Sequence, residues 1–238
     1  PLYSSAASDV YKRQVYMGLV AELDHHFGRI IAHLKSVGQY EDTLIIVTSD
    51  HGELLGDYGC WGKINYLDAA FRVPLLIRVP GGAPAYIGQP TESVDIMPTI
   101  LDWIGQDCPD TVDGHSLLPL AMGVTPEGWR DYSVSELDFG DPVTPTLIQQ
   151  RLGLSAHDCG VAILRTGSHS LVHFNGGLPP ILFDHEDAGE ARNIADDGGA
   201  DTVRLAMIER LLTHRMRYAE GRFSRTMITD DGVVRGFH

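Results

Sequence analysis

A short apolar run leads directly into the polar sequence Ser-Asp-His-Gly, and this junction indicates the fold class. The run 43–48 is β-branched in character, which is typical of a strand buried on both faces, as in a parallel sheet. In open α/β sheets, ligands gather beyond the C-terminal ends of strands. We therefore expect Asp50 and His51 to lie at such an edge, where Gly52 lets the backbone turn sharply.

The segments on either side of this strand predict a layered α/β domain. Apolar residues recur at three- and four-residue steps over 15–37, which predicts an amphipathic helix that Gly38 ends. A second strand is predicted over 73–79, followed by a helix over 92–105. Pro98 would fall in the first turn of that helix, where its missing N–H is harmless.

The pattern changes after about position 125. Short β-rich runs follow at 130–139, at 160–174 as a hairpin around a Gly-containing turn, and at 179–184, and 202–218 predicts an amphipathic helix. We therefore expect an α/β domain over 15–125 and an α+β subdomain with an antiparallel sheet over 126–238. Residues 1–14 have neither an apolar core nor periodicity, so they are interpreted as a non-native leader, with a native disordered tail as the alternative.

Composition excludes several classes of partner. The net charge of −14 argues against binding to a nucleic-acid backbone, which needs a basic surface. No apolar run approaches the ~20 residues of a membrane helix. A small anionic substrate stays compatible, because one metal ion or one Lys can reverse the local field. Three Cys without regular spacing favour a reducing compartment, and the sequence leaves homo-oligomerisation open.

Three residues are candidates for chemistry. An acid and an imidazole side by side at a strand exit, Asp50 and His51, could share one divalent ion, although Asp also stabilises ordinary turns. Lys63 follows a loop with glycines at 52, 56, 59 and 62, which could bring its ammonium group back towards that ion. There it would hold an anionic oxygen and stabilise a leaving group; the alternative is a solvated Lys.

Other potential ligands are interpreted as structural. His25 and His26 are adjacent on a predicted helix and so would not face one ion together. Cys60 has no recognisable partner and is expected to be an inert thiol. The remaining histidines that we considered carry no mark of a ligand: His115, His157, His169 and His173.

The sequence "DTLIIVTSDHGELLGDYGCWGKINYLDAAFRVPLLIRVPG" resembles the sulfatase family of the alkaline-phosphatase-like superfamily. It is most similar to the branch of arylsulfatases and phosphonate monoester or phosphodiester hydrolases. "ESVDIMPTILDWIG" and "DGHSLLPL" match further landmarks of that family. The resemblance implies the C-terminal part of an alkaline-phosphatase-like α/β sandwich, followed by a small α+β subdomain with an antiparallel sheet.

The resemblance also implies roles for individual residues. Asp50 and His51 would be two ligands of one catalytic divalent metal, and Lys63 would contact the sulfuryl or phosphoryl oxygens and the leaving oxygen of the substrate. Many sulfatases have Asn where this chain has His51. An imidazole nitrogen suits Mn or Zn better than Ca, which prefers oxygen, so Ca, Mn, Mg and Zn all stay open.

The family's nucleophile is missing from this sequence. It is a formylglycine made from Cys or Ser in a C/S-x-P-x-R motif upstream of the SDHG strand, and neither Cys60, Cys108, Cys159 nor any Ser begins such a motif. We therefore expect a truncated chain that is inactive alone. Its parent would hydrolyse sulfate esters; the alternatives are phosphonate monoesters or phosphodiesters, another metallo-phosphotransferase reaction, or a non-catalytic scaffold.

Overall fold

The computed structural model describes residues 2–63, 65–186, 190–218, 226–229 and 232–235. They form two compact units. The first lies within residues 1–88, 95–109 and 114–129, and the second lies within 89–94, 110–113 and 130–238. The domain bounds expected from the sequence, 15–125 and 126–238, stay a prediction.

The first unit combines helices with one small sheet. In chain order its elements are α1 (Leu2–Ser36), β1 (Ile45–Thr48), α2 (Asp68–Phe71), β2 (Leu75–Arg78), α3 (Ile96–Trp103) and α4 (Leu118–Ala121), with short 3-10 helices at Tyr40–Asp42 and Asp57–Gly59. A further 3-10 helix, Ser93–Asp95, crosses the boundary in sequence between the two units. The described part of the chain contains no helix long and apolar enough to cross a membrane.

Helix α1 begins well before the predicted start at 15. Residues 2–14 are helical, so the alternative of a disordered tail is wrong. They contain two Ala and one each of Leu, Lys, Arg and Gln, which favour helix without any periodicity. The helix is mostly exposed, so no apolar face had to be encoded there. The foreign origin of 1–14 stays a prediction.

Strand β1 differs from the expectation of a doubly buried strand in a parallel sheet. It pairs with β2 in antiparallel register, from Ile45 opposite Arg78 to Thr48 opposite Leu75, in a two-stranded sheet. Its side chains are half-buried and Thr48 is exposed. The expectation is wrong for the described residues, because β2 is the only strand among them that pairs with β1, and an apolar run does not encode its partner's direction.

The helix after β2 is confirmed, with its main α-helical part over Ile96–Trp103. Pro98 lies in the first turn, as predicted, where no intrahelical N–H bond is lost. Gly105 has φ +67° and donates its N–H to Asp102 O at 3.1 Å, while Gln106 N–H bonds to Leu101 O at 2.9 Å. This left-handed cap ends the helix.

The second unit contains the predicted antiparallel sheet. Its elements are β3 (Tyr132–Asp138), α5 (Leu147–Leu152), β4 (Gly160–Thr166), β5 (His169–Phe174), β6 (Ile181–Asp184), α6 (Asp201–Arg217), β7 (Thr226–Thr229) and β8 (Gly232–Arg235), with a 3-10 helix at Ala156–Asp158. The strand order is β3-β4-β5-β6, all antiparallel, and β7 and β8 pair separately.

The core of this unit lies between the sheet and α6. Leu164, Leu171 and Leu182 are fully buried and share one cluster with Met207 and Leu211 of the helix. Alternation along the strands and three- and four-residue steps along α6 place these side chains on facing surfaces. The predicted hairpin, the short strand and the final helix are therefore confirmed.

Candidate functional site

Asp50 and His51 lie just beyond the C-terminal end of β1, where the sequence predicts a site. The Oδ2 atom of Asp50 is 3.6 Å from Nε2 of His51. The Asp50 side chain is 83% exposed and that of His51 is 38% exposed. An oxygen and a nitrogen at this separation, both open to solvent, could contact one cation.

The orientation of His51 is set by its own backbone neighbourhood. Its Nδ1 lies 2.7 Å from the carbonyl oxygen of Gly52. Because a carbonyl only accepts, Nδ1 carries the proton of this bond, so that a neutral ring would have its lone pair on Nε2. A ring nitrogen tied to a backbone carbonyl while the other is free is the usual arrangement of metal-binding histidines. Ser49 Oγ donates to the carbonyl of His51 at 2.8 Å.

The charges around Asp50 favour its ionised form. Desolvation acts to raise the pKa of Asp50, but the charge of His51, the backbone N–H of His51 and the charge of Lys63 outweigh it, so the pKa is lowered. The N–H of His51 lies 3.0 Å from Asp50 Oδ1. Asp50 is therefore a carboxylate at neutral pH and is available as a ligand.

Lys63 lies at the end of the segment 53–63, which we call the site loop. The loop folds back on itself, because the N–H of Leu54 bonds to the carbonyl of Gly62 at 3.1 Å. Gly56, Gly59 and Gly62 all have positive φ, between +75° and +91°, which side chains disfavour. The side chain of Lys63 is exposed, and its charge acts on Asp50.

Gly52 is required for a reason other than the expected sharp turn. Its N–H donates to Ala70 O at 2.8 Å, which ties the backbone beside His51 to α2. A Cβ at this position would lie 2.0 Å from the carbonyl oxygen of Ala69. The close approach of the two backbones therefore excludes any side chain, and the φ of Gly52 is not positive.

The donor set suits a divalent metal but is small. Within the described ranges no group of three or more His, Cys, Asp or Glu side chains is placed to bind one ion. Asp50 and His51 supply one oxygen and one nitrogen, which fits Mn or Zn better than Ca. Protein metal sites with catalytic roles commonly use three or more protein ligands. These two residues therefore fit part of a coordination shell.

The side chains interpreted as structural make local contacts of their own or are exposed. His25 and His26 are exposed on α1, and His26 Nε2 is 3.6 Å from Glu22. Cys60 Sγ lies 3.6 Å from the Asn65 amide. Burial, followed by the charges of two nearby aspartates, raises the pKa of the Cys159 thiol, whose Sγ is 3.2 Å from a backbone carbonyl. His115, His157 and His173 are exposed, and His169 bonds to Ser168 Oγ at 2.9 Å.

One residue of this region was missed by the sequence interpretation. Glu53 Oε1 accepts the N–H of Gly62 at 2.6 Å and lies 3.4 Å from the N–H of Leu55. The available signal was an acidic residue at the start of a Gly-rich loop, a position where a carboxylate can bond to several backbone N–H groups. The sequence alone did not show which of these N–H groups it would reach.

Comparison with known proteins identifies the family. Residues 3–106 match the sulfatase family. Over 231 residues the chain is 37% identical to the multifunctional alkaline phosphatase superfamily protein PehA of Trinickia caryophylli, covering 95% of this chain and 44% of PehA. Over 115 residues it is 38% identical to the choline-sulfatase of Rhizobium meliloti (strain 1021), covering 47% of this chain and 22% of that protein.

A solved structure gives the same result for the fold. Phosphonate monoester hydrolase SpPMH from Silicibacter pomeroyi matches with a TM-score of 0.87 and 50% identity, over 94% of this chain and 44% of that chain. The fold is thus alkaline-phosphatase-like. The matched part of the chain, residues 3–106, is a sulfatase-family domain, and the chain spans 44% of the length of both PehA and SpPMH.

Proposed function

We propose that this chain is part of a metal-dependent hydrolase of small anionic esters, with phosphonate monoesters as the main substrates and sulfate esters as the second class. From the sequence alone, sulfate esters came first. The order changes because identity to a phosphonate monoester hydrolase is 50% over 94% of the chain, whereas identity to the choline-sulfatase is 38% over 47% and identity to arylsulfatase K of Canis lupus familiaris is 31% over 77%. All three of these relatives, the phosphonate monoester hydrolase, the choline-sulfatase and arylsulfatase K, are hydrolases.

The observation that carries the proposal is the geometry at the end of β1. Asp50 Oδ2 and His51 Nε2 are 3.6 Å apart, and the other ring nitrogen of His51 bonds to a backbone carbonyl. Such a pre-oriented pair needs little reorganisation to bind a cation. Because the pKa of Asp50 is lowered, its carboxylate is ionised at neutral pH.

Each residue has a distinct task in this proposal. Asp50 and His51 would hold one divalent cation, which when bound supplies charge stabilisation to an oxygen of the ester. Lys63 would contact a non-bridging oxygen of the substrate and offset negative charge that develops on the leaving oxygen. Support for this role comes from the site loop, which folds back so that the carbonyl of Gly62, next to Lys63, accepts from the N–H of Leu54 at 3.1 Å.

The 238-residue chain by itself is proposed to have little or no turnover. Its sequence contains no C/S-x-P-x-R motif for the nucleophile, and its described residues place no third acidic, His or Cys ligand beside Asp50 and His51. The remaining ligands and the nucleophile would come from another part of a longer protein. Metal-dependent hydrolysis by this chain alone at ordinary enzyme rates would contradict this.

The test uses the enzyme expressed from its complete coding sequence. Its kcat/KM is measured with a phenyl phosphonate monoester and with an aryl sulfate, and its bound metal is quantified by mass spectrometry. A higher kcat/KM for the phosphonate ester supports the proposal, a higher value for the sulfate restores the other order, and hydrolysis of neither overturns both. Upstream sequence with a bare Ser or Thr nucleophile instead of C/S-x-P-x-R would indicate a metallo-phosphotransferase.

Variants separate the roles. Asp50→Ala and His51→Ala should each lower metal content, whereas Lys63→Ala should keep the metal and lower kcat about 100-fold or more, as expected for loss of a group that stabilises charge in the transition state. Asp57→Ala is the matched control, because Asp57 is an exposed acid of the same loop. Normal metal content in both Asp50→Ala and His51→Ala would exclude a metal site here.

A further inference from the structure

The peptide groups next to Lys63 are fixed on both sides by the start of the site loop. The N–H of Gly62 donates to Glu53 Oε1 at 2.6 Å, and the carbonyl of Gly62 accepts from the N–H of Leu54 at 3.1 Å. Both bonds come from consecutive residues, 53 and 54. The backbone that leads into Lys63 is therefore held by one short segment that itself follows His51 and Gly52 directly.

We call these two hydrogen bonds of Gly62, to Glu53 and Leu54, the clamp. The clamp is anchored in the interior of the first unit. Leu54 is only 1% exposed, and Glu53 is half-buried. A hydrogen bond from a backbone N–H to a carboxylate is stronger than one between neutral groups, and partial burial reduces its screening by solvent. Gly62 has φ +81°, a left-handed conformation that glycine adopts without a Cβ clash, so the loop can turn there towards Lys63.

Among the described contacts, the other acid of the loop gives no comparable support through its side chain. Asp57, the other acid of the loop, is exposed, and its hydrogen bonds within the loop run through its backbone, from its N–H to Leu54 O at 2.9 Å and from Cys60 N–H to its carbonyl at 2.8 Å. The loop thus contains two carboxylates, and it is Glu53 that accepts from the N–H of Gly62, the residue before Lys63.

We propose that Glu53 is the positioning residue for Lys63: its carboxylate fixes Gly62 and so sets where the ammonium group of Lys63 lies relative to Asp50 and His51. The inference rests on the function proposed above for Lys63. Glu53 itself does not contact substrate or metal in this account. Displacing a substrate-binding group by about 1 Å can cost about 100-fold in rate, so loss of the clamp should be visible in kinetics.

The first experiment measures the clamp directly in the enzyme expressed from its complete coding sequence. Hydrogen–deuterium exchange is followed by mass spectrometry in a peptide that covers Gly62. Glu53→Ala should speed exchange there by about 10-fold, the effect of losing one hydrogen bond. Glu53→Gln keeps an acceptor oxygen but not the charge, so its exchange should lie between the wild type and Glu53→Ala. Asp57→Ala should match the wild type. A peptide from 160–174 serves as the folding control.

Equal exchange in Glu53→Ala and the wild type would overturn the proposal. So would faster exchange in the 160–174 control peptide, because it would show general unfolding rather than release of the loop. Exchange in Glu53→Gln that is as fast as in Glu53→Ala would show that an acceptor at this position is insufficient, and it would also count against the clamp.

The second experiment is a double-mutant cycle on kcat/KM. Glu53→Ala in the wild-type background should lower kcat/KM about 10- to 100-fold, whereas in the Lys63→Ala background it should lower it less than about threefold, since the group it positions is gone. Equal losses in both backgrounds would assign Glu53 a purely structural role. If Lys63→Ala itself leaves kcat/KM unchanged, the function proposed for Lys63 fails, and the exchange result alone still reports whether Glu53 fixes Gly62.

Discussion

The sheet of the second unit and the sheet of the first unit are held in different ways. In the second, Leu164 and Leu171 are completely buried between four strands and α6. In the first, β1 and β2 form a pair in which Leu76 is 60% exposed. The second sheet is stabilised by its own apolar core, whereas the first sheet carries the candidate site with much less burial around it.

The difference indicates which interactions fix the structure in each unit. Around Asp50, His51 and Lys63, order comes from the backbone bond of Gly52 to Ala70 and from the Glu53 carboxylate, which accepts from the N–H of Gly62. A hydrogen bond contributes about 1 kcal/mol net, less than a buried Leu side chain. Substitutions in the core of the second unit should therefore lower its free energy of unfolding. Substitutions around the candidate site should mainly displace the site residues.

The largest expected effect is on the core of the second unit. Leu164→Ala should lower its free energy of unfolding by about 2–5 kcal/mol, because it leaves a cavity beside Leu171 and Leu182. Leu76→Ala is the matched control in the first unit and should change stability by about 0.5 kcal/mol or less. The effect of Leu164→Ala is measured by urea unfolding followed through the amide resonances of β4 and β5. The effect of Leu76→Ala is measured by urea unfolding followed through tryptophan fluorescence.

All three tryptophans, Trp61, Trp103 and Trp129, lie in the first unit, so their fluorescence reports on that unit separately. Equal losses from Leu164→Ala and Leu76→Ala would contradict the contrast between a buried core and an exposed pair.

The next largest effect is expected from a substitution that breaks the backbone contact between Gly52 and α2. Gly52→Ala would place a Cβ 2.0 Å from Ala69 O and should destabilise the first unit by about 1–3 kcal/mol. Gly18→Ala is the matched control: no atom lies within 4 Å of a Cβ there, and Ala favours the helix by about 0.5–1 kcal/mol. Tryptophan-monitored unfolding should shift in opposite directions; a Gly52→Ala protein as stable as the wild type would rule out the close approach.

A smaller effect concerns pH and the second unit. Burial lowers the pKa of His214, with Arg130 and Arg215 acting in the same direction against Glu136 and Asp113. Because the unfolded chain binds the proton more readily, stability should fall as pH drops below about 6.5, the ordinary pKa of His. His214→Gln should flatten this dependence between pH 7.5 and 5.5.

Thermal unfolding by circular dichroism across this pH range measures the slope. The aromatic neighbours of His214 are Tyr132, whose hydroxyl lies 3.5 Å from Nδ1, and Tyr218. His26→Gln, at an exposed site on α1, is the control and should keep the wild-type slope. A wild-type slope in His214→Gln would exclude His214 as the source.

The smallest effect is expected at the start of α1. Arg13 Nε donates to the carbonyl of Leu55 in the site loop at 2.6 Å, but both residues lie at the surface. Because Glu53 and Leu54 hold the loop without α1, Arg13→Ala should change the tryptophan-monitored stability by about 0.5 kcal/mol or less. A loss above about 2 kcal/mol would show that the loop depends on the helix.

Much of the local structure was predictable because its signals are local. Pro98 in a first turn, Gly105 as a left-handed cap and the hairpin of β4 and β5 all follow from the allowed backbone angles and side-chain alternation of a few neighbouring residues. The start of α1 was missed because an exposed helix needs no periodicity. The direction of β1 was missed because its partner lies some thirty residues away and is not encoded in the run itself.

The sequence by itself determined β3 to β6 and α6 of the second unit, through alternation and helical periodicity. It also determined that Asp50 and His51 lie together, because adjacent residues beyond a strand end are necessarily close. Only the tertiary structure decided that His51 presents Nε2, that Gly52 lies against Ala69 and that Glu53 reaches Gly62. Each of these depends on how a loop closes in space. Loop closure is set by contacts between residues distant in sequence, and such contacts leave no periodic trace in the chain.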